Sequence, residues 1–159
     1  VLDQVGPAAV SCWTWTIASY EIESFRALHQ NRRVTSGRLV IDEGARAKNL
    51  ELLVDWRDQF GADSVRYVHN HAKIATVEGG GFRVLLRGSM NLNANPRFEQ
   101  LDVTEGGPDF DLVRRIEDAL PVLGDLATSN EAAVASQILR APRSADVPAF
   151  AHLKRWTPK

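Results

Sequence analysis

The chain has 159 residues, of which 44% are hydrophobic and 25% charged, and its formal net charge is −1. This composition is that of an ordinary globular protein, and the length suffices for one domain with a hydrophobic core. No apolar run approaches the ~20 residues that a membrane helix needs, so we expect a soluble protein that does not insert into a membrane. Cys12 has no second cysteine to pair with, and we interpret it as a small buried hydrophobic residue.

The charges are unevenly distributed. Residues 20 to 97 hold 12 Lys and Arg against nine Asp and Glu, whereas residues 98 to 148 hold four against ten. The first excess favours contact with phosphate, but it is much weaker than the basic surface of a dedicated nucleic-acid-binding protein. Charge alone therefore leaves nucleic-acid binding open.

The first half of the chain predicts alternating strands and helices. Apolar alternation indicates strands, and apolar residues at helical spacing, such as Ile22, Phe25 and Leu28, indicate helices. Strands are predicted at 10–17, 38–42 and 64–68, with helices at 20–30 and 49–61 between them. On the first strand Trp13 and Trp15 share a face; packing in a core or an interface is the favoured interpretation, and stacking on nucleobases is the alternative.

The second half predicts a hairpin and further helices. Strands at 71–78 and 82–88 flank a glycine turn at 79–81, and a third strand is predicted at 98–105. A helix from Asp109, with Phe110, Val113, Ile116 and Leu120 as its apolar face, ends before Pro121. A weaker helix follows at 130–140. We therefore expect an α/β domain over residues 1–140, with a mixed β-sheet flanked by helices on both faces, and an irregular tail over 141–159.

Polar side chains concentrate at one end of the predicted hairpin, where its first strand begins and its second strand ends. Strand alternation places His71 and Lys73 on one face, and Ser89 and Asn91 follow the partner strand, so all four side chains are expected to converge. With a phosphate bound there, Lys73 and Asn91 would stabilise its oxygens and Ser89 would add a hydrogen bond. His71 would attack phosphorus or transfer a proton.

This composite pattern resembles the HKD motif of the phospholipase D superfamily, in which HxKxxxxD is followed by GSxN. His71-x-Lys73, Glu78 and Gly88-Ser89-x-Asn91 are the residues that carry the resemblance, and Glu78 stands where the family has aspartate. The resemblance implies the fold of one phospholipase D repeat and a covalent phosphohistidine at His71. It also implies that Glu99 orients this ring and that no metal or other cofactor takes part.

The chain holds one such motif, whereas the two-step reaction of the family uses two histidines. Small bacterial endonucleases and a mitochondrial nuclease of the family are similar in having one motif and assemble as symmetric dimers. The resemblance thus implies a homodimer through the face that carries the HKD residues.

Four further residues are candidates for substrate binding. Arg87 and Arg97 are expected to contact phosphate, since a guanidinium forms paired hydrogen bonds with phosphate oxygens. His69 either lines the pocket or lies on the surface, and Asn93 either contacts substrate or forms a turn before Pro96. A metal site built from His69, His71 and a carboxylate is disfavoured because Lys73 would repel the ion.

The sequence thus predicts a metal-independent phosphodiesterase, most simply an endonuclease acting on DNA or RNA, either cytoplasmic or virion-associated. Two alternatives remain. One is a catalytically weak or inactive binding subunit of a nucleic-acid-handling or viral assembly. The other is a hydrolase of phospholipid headgroups.

Overall fold

The structure is a computed structural model that describes residues 1–45, 47–93 and 99–122. Within them lie four α-helices, α1 (Leu2–Val5), α2 (Ser19–Gln30), α3 (Leu50–Phe60) and α4 (Gly107–Ala119). These residues also form three short 3-10 turns and six strands. The strands are β1 (Ala8–Thr14), β2 (Val34–Asp42), β3 (Val65–Val68), β4 (Ile74–Gly79), β5 (Phe82–Gly88) and β6 (Leu101–Glu105). The predicted helix at 130–140, the tail and the domain boundary at 140 lie outside the described residues.

The strands form one mixed sheet in the order β3-β2-β1-β4-β5-β6. β1, β2 and β3 are parallel to one another and are joined through α2 and α3, whereas β4, β5 and β6 run antiparallel to their neighbours. The predicted α/β class and mixed sheet are confirmed. Among the described residues, no helix has the length and apolar character to cross a bilayer.

Helices lie on both faces of this sheet, as predicted. Ile22 of α2 and Trp56 of α3 are buried in one cluster with Cys12 and Leu39, which places these helices on one face. On the opposite face, Glu117 of α4 accepts hydrogen bonds from Ser11 and Trp13, whose side chains alternate with that of Cys12. The main hydrophobic core therefore lies between the sheet and the helices α2 and α3.

The face that α4 turns to the sheet differs from the predicted one. Phe110 is buried as expected, but Ile116 is exposed and the carboxylate of Glu117, one residue on, is fully buried. This carboxylate accepts hydrogen bonds from β1, from Arg38 of β2 and from Arg114 of α4, which satisfy it. A charged residue, Glu117, therefore lies on the buried face of α4, where the apolar spacing predicted Ile116.

Three predicted strands are shorter than expected at the end of the sheet where the polar residues gather. β1 ends at Thr14, so Trp15 lies beyond it, and the last pair of the β1–β4 ladder is Trp13 with Ile74. The prediction that His71 and Lys73 lie on a strand is therefore wrong, because β4 starts one residue after Lys73. Glu99 likewise precedes β6 and is not a strand residue.

The glycine turn at 79–81 joins β4 to β5 as predicted. Gly80 and Gly81 have φ of 55° and 84°, a left-handed conformation that glycine adopts without strain. Glu78 lies at this turn, beside Arg83 on the opposite strand. Glu78 is four positions after Ile74, so at ~3.3 Å per residue it lies about 13 Å along the strand from the end near which His71 is found.

Candidate active site

The residues of the HKD-like pattern meet at one end of the sheet. His71 and Lys73 come directly before β4, and Ser89 and Asn91 come directly after β5. Since β4 and β5 form an antiparallel hairpin, the start of one lies beside the end of the other. The backbone N–H of Gly88 donates to the carbonyl oxygen of Lys73 at 2.9 Å, which joins the two segments.

His71 and Lys73 are in direct contact. The ammonium of Lys73 lies 2.9 Å from Nδ1 of His71 and 2.7 Å from the carbonyl oxygen of the same residue. Because an ammonium can only donate, Nδ1 is the acceptor, and a neutral ring in this arrangement carries its proton on Nε2. Partial desolvation lowers the pKa of Lys73, and the charge of Glu99 opposes that effect.

Ser89 connects the end of β5 to the residues before β6. Its hydroxyl donates to the carboxylate of Glu99 and accepts from the backbone N–H of Gln100 at 3.0 Å. Glu99 therefore contacts Ser89 and acts electrostatically on Lys73. Its predicted role in orienting the His71 ring stays a prediction.

Asn91 is anchored to the end of β1. Its side-chain oxygen accepts from the backbone N–H of Trp15 at 3.1 Å, so the NH₂ group is the part of this side chain that can donate to a substrate. The next residue, Leu92, donates its N–H to the hydroxyl of Thr14 at 3.1 Å. The first strand thus holds in place the segment that follows β5.

Asp42, which the sequence-based prediction missed, supports the loop that carries His71. This nearly buried carboxylate, at the end of β2, accepts from the backbone N–H groups of Gly44 and Asn70, both at 2.9 Å. The side chain of Asn70 in turn accepts from the N–H of Ala72 at 3.0 Å. The loop is therefore held by side chains in place of a strand ladder; an acid at the end of the buried strand "RLVID" was the signal for it.

The four proposed substrate-binding residues occupy different surroundings. Nε2 of the exposed His69 lies 3.2 Å from a carboxylate oxygen of Glu43. Arg87 makes an ion pair with Asp109 at 2.9 Å, and it lines a small hollow together with Ser89. The N–H of Asn93 donates to the carbonyl of Asn91 in a tight turn. Arg97 lies outside the described residues.

An apolar cavity of about 240 Å³ adjoins the site. Ala75, Leu86 and Leu101 form the apolar wall of the cavity, and Lys73 and Glu99 lie at its polar side.

Next to the cavity, Met90, Leu101 and Val103 are exposed and form what we term the apolar strip. Leu101 and Val103 lie opposite Gly88 and Leu86 in the ladder, on the sheet face that α2 and α3 also occupy.

Within the described part of the chain, no three His, Cys, Asp or Glu side chains converge as ligands of one metal ion would. In comparisons with known proteins, no family model and no curated protein matches this sequence. The functional assignment therefore depends on the residues and geometry of the site itself.

Proposed function

We propose that this chain is a phospholipase D-like phosphodiesterase, most simply an endonuclease, that cleaves through a phosphohistidine on His71. The observation that carries the proposal is the meeting of both halves of the pattern at one end of the β4–β5 hairpin, with Lys73 in contact with His71. HxK alone is common in proteins. HxK and GSxN joined at one site by the hairpin are a much more specific combination.

In the proposed reaction a ring nitrogen of His71 attacks phosphorus, an N–P bond forms, and the bond from phosphorus to the leaving oxygen breaks. A second histidine donates the proton that the leaving oxygen takes up. Water, deprotonated by that histidine, then attacks phosphorus, breaks the N–P bond and releases the phosphate monoester. The substrate phosphate would draw the ammonium of Lys73 away from Nδ1, so that Lys73 stabilises the developing charge.

The second histidine would come from another copy of the same chain. One copy supplies a single His71, and the apolar strip beside the site gives a second copy a surface to cover. Exposed apolar patches next to polar residues commonly mark protein interfaces. We propose a symmetric dimer in which the two His71 rings lie on either side of one phosphate.

The first test is cleavage of single- and double-stranded DNA and RNA in excess chelator, with phosphatidylcholine and cardiolipin vesicles assayed in parallel. We expect cleavage of nucleic acid that chelator leaves unchanged and that His71→Ala abolishes. The matched control is Glu78→Asp, which introduces the aspartate of the family pattern. This position lies about 13 Å along the strand from the site, so the change is expected to alter the rate less than ~2-fold.

A second measurement separates catalysis from binding alone. Rapid quenching of the reaction, followed by mass spectrometry, should find a phosphoryl adduct on the peptide that contains His71. A binding subunit without catalysis would show no adduct and no turnover. Metal-dependent cleavage, or full activity of His71→Ala, would refute the mechanism, and turnover confined to vesicles would assign the site to phospholipid headgroups.

A further inference from the structure

Trp15 is an exposed aromatic residue beside the proposed nucleophile. The centroids of its ring and of the His71 ring are 6.3 Å apart with 47° between the planes, and 43% of the residue is accessible to solvent. Its neighbour Trp13 is buried, and Nε1 of that indole donates to Glu117 at 2.7 Å. The structural role predicted for both tryptophans is thus filled by Trp13, whereas the indole of Trp15 remains half open to solvent.

The backbone on both sides of Trp15 is fixed to the site. The N–H of Trp15 donates to the side chain of Asn91, and the N–H of Ala18 donates to the carbonyl of Leu92 at 2.9 Å. Ile17 and Leu92 also form an isolated parallel bridge. The backbone that carries the indole is therefore held in place relative to the GSxN segment, which limits the ordering that ligand binding requires.

The ligand that suits such a platform is flat and aromatic. With its phosphate at His71, a nucleotide strand carries a base on each adjoining sugar, within reach of an indole that contacts the His71 ring. Bases stack on exposed aromatic side chains irrespective of sequence. Inside a duplex both faces of each base are covered by its neighbours, so away from the strand ends only an unpaired base can stack on an indole.

We propose that Trp15 is a base-stacking residue of this site and that the substrate is an unpaired nucleic-acid strand. This inference rests on the proposed function, and it adds a strand preference and the residue that determines it. Trp15 takes no part in bond breaking. Its contribution is to hold the nucleoside next to the phosphate that His71 attacks.

The test compares two substrates in wild type and three variants. One substrate is a labelled single strand, and the other is a strand of equal length and charge built entirely from abasic residues. The variants are Trp15→Leu, Trp15→Phe and the control Phe82→Leu, which changes an aromatic residue of matching exposure, 42%, at the far end of the hairpin. All measurements use one fixed salt concentration, because phosphate contacts are strongly salt-dependent.

We expect Trp15→Leu to lower kcat/KM on the base-bearing strand roughly 5- to 150-fold, the range that loss of one base–aromatic stack produces. Activity on the abasic strand should not change, and Trp15→Phe should keep most of the activity on both. Phe82→Leu should behave as wild type. Annealing the complementary strand should reduce cleavage by the wild-type protein.

Binding separates this inference from the proposed function. In a His71→Gln background, fluorescence anisotropy of the labelled strand should show the same loss of affinity for Trp15→Leu, again confined to the base-bearing strand. If wild type cleaves nothing but this loss is seen, the proposed reaction fails and the stacking role stands. If cleavage occurs and Trp15→Leu loses activity equally on both strands, or loses none, the stacking role fails. It also fails if duplex is cleaved as fast as single strand.

Discussion

The thiol of Cys12 lies in the core under α2 and α3. Burial raises its pKa to about 12 from an ordinary value near 9.0, and the carboxylate of Glu117 adds to the rise. A raised pKa means that only the unfolded chain releases this proton between the two values. The contribution of this thiol to stability is therefore fully present below about pH 9. It is lost as the pH rises toward 12, by ~1.4 kcal/mol per pH unit.

Urea denaturation at pH 8 and pH 10 measures this effect, with Cys12→Ala as the reference. Other groups titrate alike in both proteins, so their contributions cancel. Between the two pH values, wild type should lose ~1.4 kcal/mol more free energy of unfolding than the variant does. Equal losses would show that the thiol is ionised as easily in the folded chain as in the unfolded one.

A second residue-scale prediction concerns Asp42, which positions the loop of His71. Asp42→Asn replaces one carboxylate oxygen by an NH₂ group, so the side chain can no longer accept from both Gly44 and Asn70. The loop should shift, and a shift of about 1 Å can cost ~10²-fold in rate. We expect kcat to fall much more than KM rises, with Asp58→Asn on α3 as the control. A change in KM alone would mean that Asp42 does not position the reacting group.

At the scale of the elements, most of the fold could be predicted because apolar periodicity reports burial. The order of strands and helices, the hairpin and its glycine turn all follow from local patterns. The strand ends were misplaced for a physical reason. Beyond Thr14, and in the loop before β4, the side chains of Asn91 and Asp42 satisfy backbone N–H groups in place of a ladder. Such long-range contacts leave no local pattern.

The attachment of α4 gives the element-scale prediction. Glu117 is fully buried and accepts from Ser11 and Trp13 of β1 as well as from Arg38 and Arg114. Glu117→Ala leaves these donors without their acceptor, and breaking a buried charge network of this kind costs ~3 kcal/mol or more. The measurement is the free energy of unfolding from urea denaturation.

Asp118→Ala is the matched control for Glu117→Ala. Asp118 also binds Arg38, at 2.7 Å, but its side chain is largely exposed, and exposed ion pairs contribute under ~1 kcal/mol. The two variants should therefore differ by at least ~2 kcal/mol. If they destabilise the fold equally, the network around Glu117 does not hold α4 to the sheet.

At the scale of the whole molecule, the proposed reaction needs a second histidine, so we expect the site of one copy to be half of a larger one. The residues that gather in one copy could be predicted from their spacing on a hairpin, because hairpin geometry brings the start of one strand to the end of the other. The position of Trp15 could not, because its exposure depends on where β1 ends. The exposure of the apolar strip could not be predicted either, because the alternation of apolar residues on β6 is also typical of a strand whose apolar face is buried.

The apolar strip therefore provides the last prediction. Wild type should sediment as a dimer with twice the 17.6 kDa mass of the chain. Leu101, 61% exposed, and Val103 are both apolar residues of β6. Changing both to Glu would place carboxylates in the contact, where each lacks a partner, and should give a folded monomer without phosphodiesterase activity. A dimer needs ~800 Å² per copy, so the strip would be only the centre of the contact.

Val54→Glu is the control for this experiment, because Val54 is an exposed apolar residue on α3. It should leave both the dimer and the activity as in wild type, and circular dichroism should show all three proteins folded. A wild-type monomer that cleaves phosphodiesters would refute the shared site. A Leu101→Glu, Val103→Glu protein that remains an active dimer would place the contact elsewhere on the chain.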